Sequence, residues 1–378
     1  MKLFQSIFQN NQWDPALPEQ SNASLVFVFG DRAMMQQDPF RGVLSNSFSQ
    51  GDIVGCSTSG EIQGTAIYDQ SLCLTAVEFD SSTVQVVDQV FVQGLNSFDF
   101  GQQLATKLSP QNLKHVFLLS DGQLVNGTDL VEGVTSSLPD GVMVTGGLAG
   151  DDVRFSETVL WHNHNVTSGL VILIGLYGES LEVGYGHMGG WRAFGPLREI
   201  TKSVDNVLYE LDGKPALELY KEFLGPHAEN LPASALLFPL SLHQDDIDEP
   251  RVRTILSIDE QQNSMLFAGS MPEGATCQLM RANNENLIDG ASDAAEIALE
   301  SMPAFAPELA LLVSCVGRRL VLNQRIEDEV EAVKEAFPDN CAMTGFYSYG
   351  EISPSLPIGK CGLHNQTMTI TLLAERES

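Results

Sequence analysis

The sequence predicts a mixed α/β protein of the α+β class, two domains of repeated strand-helix-strand-strand units whose sheets pack together with helices outside. Three observations carry this. First, Gly55-Cys56-Ser57-Thr58-Ser59-Gly60-Glu61 recurs near the other end as Gly345-Phe346-Tyr347-Ser348-Tyr349-Gly350-Glu351. An apolar run and a helical stretch precede each copy, and an alternating strand follows at residues 71–77 or 366–372. Second, a looser copy lies between them: an apolar run at 116–120, a helical stretch at 128–137, Val144-Thr145-Gly146-Gly147-Leu148-Ala149-Gly150-Asp151, and a strand at 170–174. It is one residue shorter between its glycines and ends in Asp. Third, 378 residues exceed what one core usually supports, so two domains are expected.

In chain order, residues 1–22 are polar and aromatic with Pro15 and Pro18, and read as an arm. The first copy occupies 24–77, a strand 83–92, a helix 98–108, and the middle copy 114–177. The glycines of 186–196 interrupt any regular element, and Pro215 suits the first turn of a helix through Phe223 because its φ is already fixed there. A junction at Gly225-Pro226 gives an N-terminal domain at 23–225 and a C-terminal domain at 226–378. The latter is read as a strand at 235–240, an acidic loop at 244–250, a hairpin from 252–258 and 264–268, and a helix at 287–301. Ile326, Val330, Val333 and Phe337 recur at helical spacing, and Pro338 stops that helix.

With 43% hydrophobic residues the chain can bury a large interior, and a formal charge of -29 disfavours nucleic acid and anionic membrane as partners. Residues 1–10 lack the pattern of a signal peptide, and no apolar run reaches the length of a membrane span. Six cysteines in apolar segments, none in a Cys-x-x-Cys pair, read as reduced buried thiols of a cytoplasmic protein.

The Gly-x4-Gly-Glu turns admit two readings. Gly55, Gly60 and Gly350 let backbone approach a ligand, and Glu61 or Glu351 accepts from its amine, as an amino acid would require. Alternatively the glycines only bend the chain and each Glu caps the bend. Tyr347 and Tyr349, which replace Ser57 and Ser59 of the first copy, give the C-terminal turn the more useful side chains. A hydrolase reading rests on Cys56 as nucleophile with His364 as base, against which a small buried cysteine is the simpler account. His162 and His164 would share one face of a strand, where two imidazoles suit a metal and a hydrated edge competes. There is no P-loop and no Gly-x-Gly-x-x-Gly after a strand.

Five landmarks in register, at 55–61, 144–151, 187–195, 211–216 and 345–351 with Leu363-His364-Asn365-Gln366-Thr367, resemble the FIST sensory proteins, with their related N-terminal and C-terminal domains. The resemblance implies a cytoplasmic small-ligand sensor that regulates a histidine kinase or a cyclic-di-GMP enzyme. Some members are haem proteins sensing nitric oxide, and others are proposed to bind amino acids. A chain without a kinase, cyclase or receptor domain resembles the first group, which implies non-covalent haem b, no catalytic residues, and an iron-histidine bond that nitric oxide weakens. His243 and His364 are then the candidate iron ligands, with His187 and Trp191 beside the cofactor, and Asn365 joins the ligand-binding set. Each histidine has a structural alternative; for His364 it is a bond from the ring to a neighbouring carbonyl.

Overall fold

A computed structural model describes residues 1–92, 94–231, 233–244, 247–302, 304–355 and 359–376. The α+β class holds, and the repeat is visible as one strand order used three times. In the first repeat Leu25–Gly30 lies parallel to Asp52–Ser57, with the helix Asp38–Ser47 between them in sequence, and antiparallel to Leu72–Glu78, whose far edge is covered by Lys2–Gln9. The second repeats this with Leu113–Ser120, Met143–Leu148, Leu170–Tyr177 and Thr83–Val90. The third uses Leu309–Cys315, Ala342–Ser348, Met368–Glu375 and Leu181–Met188. Within residues 1–22, read above as an arm, Lys2–Gln9 is a strand paired antiparallel with Leu72–Glu78, and Gln12–Asp14 pairs back onto it.

Each repeat leaves one edge of its second parallel strand open, and a hairpin from another repeat covers it. The first repeat's hairpin, Glu61–Gln63 with Ala66–Tyr68, pairs with Ala342–Ser348 of the third. The third repeat's hairpin, Gly350–Pro354 with Cys361–His364, pairs with Met143–Leu148 of the second. The second repeat's hairpin, Leu160–His162 with Asn165–Thr167, pairs with Asp52–Ser57 of the first. The exchange closes into a ring. Its shared core includes Phe27, Phe29, Phe117 and Phe346, with ring centroids of Phe29 and Phe346 4.7 Å apart.

One glycine recurs in all three repeats for a steric reason. A Cβ on Gly55 would stand 1.7 Å from the Val28 carbonyl oxygen, one on Gly146 1.9 Å from that of Leu118, and one on Gly345 1.9 Å from that of Leu312. The neighbouring parallel strand occupies that space.

The third repeat is split. After Leu181–Met188 the chain leaves to form a separate lobe over residues 192–281, then returns through the helix Asn284–Glu300. The lobe is an eight-stranded sheet around Ile200, Leu217, Tyr220, Phe267 and Met271, backed by the helix Ala216–Leu224 that Pro215 precedes. Position 225 falls inside this lobe, at the C-terminal end of that helix.

Some sequence expectations differ here. Residues 235–240 are not one strand: Ala233–Leu237 is a 3-10 helix and Leu240–Gln244 the strand. Much of the expected acidic loop is strand Ile247–Arg253, while 245 and 246 lie outside the described residues. Of the glycines in 186–196, Gly189 and Gly190 do fall between strands, but Gly186 sits in one, where a Cβ would stand 2.4 Å from the Ala294 carbonyl oxygen of the packed helix.

Candidate functional site

The three glycine turns meet at the ends of the parallel strands. Ser59 N–H donates to the Tyr347 carbonyl (2.8 Å) and Tyr347 N–H to that of Gly60 (2.9 Å). Gly150 N–H donates to Ser57 (2.8 Å), and Tyr349 N–H reaches Leu148 (3.3 Å). Sequence positions nearly 300 residues apart are thus joined by main-chain bonds.

Glu61 and Glu351 hold equivalent places. Glu61 accepts from Thr58 Oγ1 at 2.6 Å and Ser71 Oγ at 2.7 Å. Glu351 accepts from Ser348 Oγ at 2.6 Å and from Thr367 N and Oγ1 at 3.1 and 3.0 Å. Each ties its turn to the start of the strand that follows. Burial pushes both carboxyls up to about 8, against the hydroxyl bonds that favour ionisation. Asp151 of the middle copy is fully buried too, but it accepts from Ser156 Oγ at 2.8 Å and lies 2.8 Å from Arg154 and 3.4 Å from Arg32. Gly60 is covered by Arg319, which donates to the Ser59 carbonyl and pairs with Asp69 at 2.6 Å.

The two tyrosines diverge. Tyr347 is buried and donates to Glu329 Oε1 at 2.7 Å, and Glu329 forms a fully buried ion pair with Arg318 at 2.8 Å. Tyr349 faces a cavity, donates to the Asp152 carbonyl and accepts from Phe155 N–H, both at 3.2 Å.

The histidines are also distributed. His364 ends its strand with Nε2 3.1 Å from the Ser353 carbonyl, its ring 4.1 Å from that of His187. Burial, then the charges of His187 and Arg251, hold it well below the usual imidazole range, so the neutral ring donates to that carbonyl. His243 is half-buried, 3.0 Å from Ser241 Oγ, and Trp191 donates to the Gln366 carbonyl at 2.9 Å. Asn365 is fully buried, and among the described residues neither of its side-chain polar atoms has a hydrogen-bond partner. A haem on His364 would have to displace the Ser353 bond and the His187 ring. With its ring already engaged by Ser353 and His187, His364 as arranged does not fit a haem iron.

His162 and His164 do not share a strand face: they flank a hairpin turn at Asn163, with His162 against Asp52 and Asp88 and His164 3.5 Å from Ser45 Oγ. Cys56 lies in the core with its thiol pushed well up by burial, and burial raises the other five free cysteines too. The aromatic contacts place His187, not Cys56, against His364.

The cavity lies between the second repeat and the inserted lobe and has a volume of about 450 Å³. One wall is the N-terminal end of the helix Gly127–Ser136 with Asp129; the opposite wall carries Asp205, Asn206 and Phe267 of the lobe. Phe155 and Tyr349 form a stacked aromatic pair in the lining. A second hollow of about 560 Å³, along 45–53 with Asn163 and His164, is predominantly polar in its lining. Sequence reasoning missed Asp129, Asp205 and Phe155; nothing in the spacing of 129 and 205 signals that they line one cavity.

Family models decide the ancestry: the FIST N domain matches residues 24–214 and the FIST C domain residues 216–354. The chain belongs to the FIST family. FIST domains are sensory domains of signal transduction, and the boundary between the two matches falls within the inserted lobe. This FIST protein is 26% identical over 242 residues to an uncharacterized protein of Methanocaldococcus jannaschii, covering 56% of this chain and 45% of that one. The chain thus spans about half the length of the curated relative it matches. Among solved structures, cyanuric acid hydrolase from A. caulinodans aligns with a TM-score of 0.35 at 9% identity over 94% of this chain and 91% of its own. A second cyanuric acid hydrolase structure aligns at 0.22 and 9%, covering 78% and 68%. No described helix of the FIST protein is long and apolar enough to cross a membrane.

Proposed function

We propose that this FIST protein is a non-enzymatic small-ligand receptor in a signalling pathway, that its ligand sits in the cavity between the second repeat and the inserted lobe, and that occupancy changes how the lobe is seated. The cavity carries this reading. It has the size of a small-molecule site, lies between two separately cored bodies, and combines aromatic walls with a few polar groups. A ligand touching both walls binds the closed arrangement better than the open one, and that difference shifts the balance between them. A partner such as a histidine kinase or a cyclic-di-GMP enzyme would read the lobe's position.

The Gly-Glu turns support the reading by what they lack. Both oxygens of Glu61 and of Glu351 are already hydrogen-bonded to side-chain hydroxyls, which leaves these carboxyls to the fold. The test is a ligand screen by thermal shift on the full chain, repeated on Gln123→Trp, an exposed lining position where an indole would fill the cavity. Hits that stabilise the wild type and are lost in Gln123→Trp are expected. Hits unaffected by it would place the ligand elsewhere.

A further inference from the structure

The geometry points to the class of ligand this cavity takes: a small organic cation with an apolar body, its ammonium between Asp129 and Asp205 and its body against Phe155 and Tyr349. This rests on the cavity being the ligand site. Asp129 comes from the second repeat and Asp205 from the inserted lobe, and both line the hollow. They are close enough to feel one another: beyond burial and Glu132, the charge of Asp205 holds the Asp129 carboxyl above its usual range. Neither side chain accepts a hydrogen bond or an ion pair among the described residues, and no Lys, Arg or His lines the cavity. Asp151 and Asp69, by contrast, are paired with arginines, Asp151 with Arg32 and Arg154 and Asp69 with Arg319.

Each aspartate has a local reason to exist. Asp129 complements the dipole of its helix, and Asp205 stands at φ 53 in a hairpin turn, a conformation that Asp and Asn tolerate. Those reasons choose the residue type; they do not require both to open into one hollow from opposite bodies.

The rest of the lining selects the ligand's body. Leu95, Leu124 and Leu256 are 51%, 46% and 37% exposed and all border the cavity, so its mouth offers apolar surface that water now covers. Inside, the stacked rings of Phe155 and Tyr349 present aromatic surface to a flat group or a cation. An anion is disfavoured despite the helix terminus, because Asn126 Oδ1 already accepts from Thr128 N and Asp129 N. A bare metal ion lacks a donor set, since among the described residues no three His, Cys, Asp or Glu side chains converge on one point.

The experiment is calorimetric titration of the full chain with 2-phenylethylamine, its neutral counterpart 2-phenylethanol, its anionic counterpart 3-phenylpropionate, and calcium chloride. It is run on the wild type, Asp129→Asn, Asp205→Asn and Gln123→Trp. Saturable amine binding is expected, about tenfold or more tighter than the alcohol, weakened to a similar degree by either Asn variant and abolished by Gln123→Trp. Asp205→Asn should fold with an unchanged or higher melting temperature, because it removes repulsion and suits the turn. Equal binding of amine and alcohol, or preference for the carboxylate, with loss in Gln123→Trp, would overturn the cationic class and leave the cavity as the site. Amine binding that survives Gln123→Trp would overturn both. Calcium binding without amine binding, or no amine binding at all, would overturn the cation proposal.

Discussion

Phe155 and Tyr349 stack with ring centroids 4.6 Å apart and planes 16° from parallel. One follows the middle copy of the glycine turn and the other belongs to the last, so the stack joins two repeats at the wall of the cavity. Phe155 holds φ at 46, a left-handed conformation costly for an aromatic residue. Its N–H donates to the Tyr349 hydroxyl, which in turn donates to the Asp152 carbonyl.

Tyr349→Phe keeps the stack and removes both hydroxyl bonds, leaving a half-buried N–H without its acceptor. A loss of about 1 kcal/mol is expected, and Tyr349→Ala should cost about 3–5 kcal/mol because the ring packs in the core as well. Urea denaturation of the two variants checks this. Equal losses would mean that the stack contributes nothing.

Gly55→Ala, Gly146→Ala and Gly345→Ala should each destabilise by about 3 kcal/mol or more, since the added methyl meets a strand carbonyl at under 2 Å and backbone must move. Gly64→Ala meets no atom within 4 Å and separates steric overlap from backbone conformation, since its φ of +60 is strained for Ala alone. If Gly64→Ala costs as much as Gly55→Ala, close approach is not the reason for the repeated glycine.

That repeated glycine was legible in the sequence because one steric demand recurs wherever the two parallel strands run side by side. The helix at Ile326–Ala336 was legible for a similar reason, since apolar spacing of three and four fixes one face. The hairpin exchange was not. Glu61–Gln63 pairs with a strand some 280 residues away, and its own pattern is equally compatible with pairing at home. Leu181–Met188 was half hidden by its glycines, which serve the helix packed on it rather than the strand. Asp129 and Asp205 were hidden because each satisfies a local rule, and only the placement of the lobe brings them together.

Stability should fall as pH rises from about 6.5 to about 8. Glu61 and Glu351 stay protonated in the fold up to about 8 but ionise near 4.5 when unfolded, so each favours the folded state less as pH climbs through that interval, by at most about 1.4 kcal/mol per pH unit. His162, raised chiefly by its bond to Asp52, loses its contribution in the same direction above its ordinary value. Below about 6.5 the trend is offset, because His364 and His115 are held neutral by burial, His115 down to about 3, and must be charged on unfolding. Glu61→Gln should flatten the slope between 6.5 and 8 in denaturant titrations at stepped pH. An unchanged slope would show that Glu61 is ionised in the fold.

Haem addition separates the cavity reading from a gas sensor. The His364 ring already donates to the Ser353 carbonyl and lies against His187. Haemin titrated into the full chain is therefore expected to give no stoichiometric Soret band that depends on His364 or His243. The ferrous spectrum with and without nitric oxide, recorded on the wild type, His364→Ala and His243→Ala, is the measurement. A band that shifts with nitric oxide and disappears in one variant would mean that the segment carrying that histidine rearranges to admit the macrocycle. The signal would then pass through the iron-histidine bond, and the interlobe cavity would no longer be the primary ligand site.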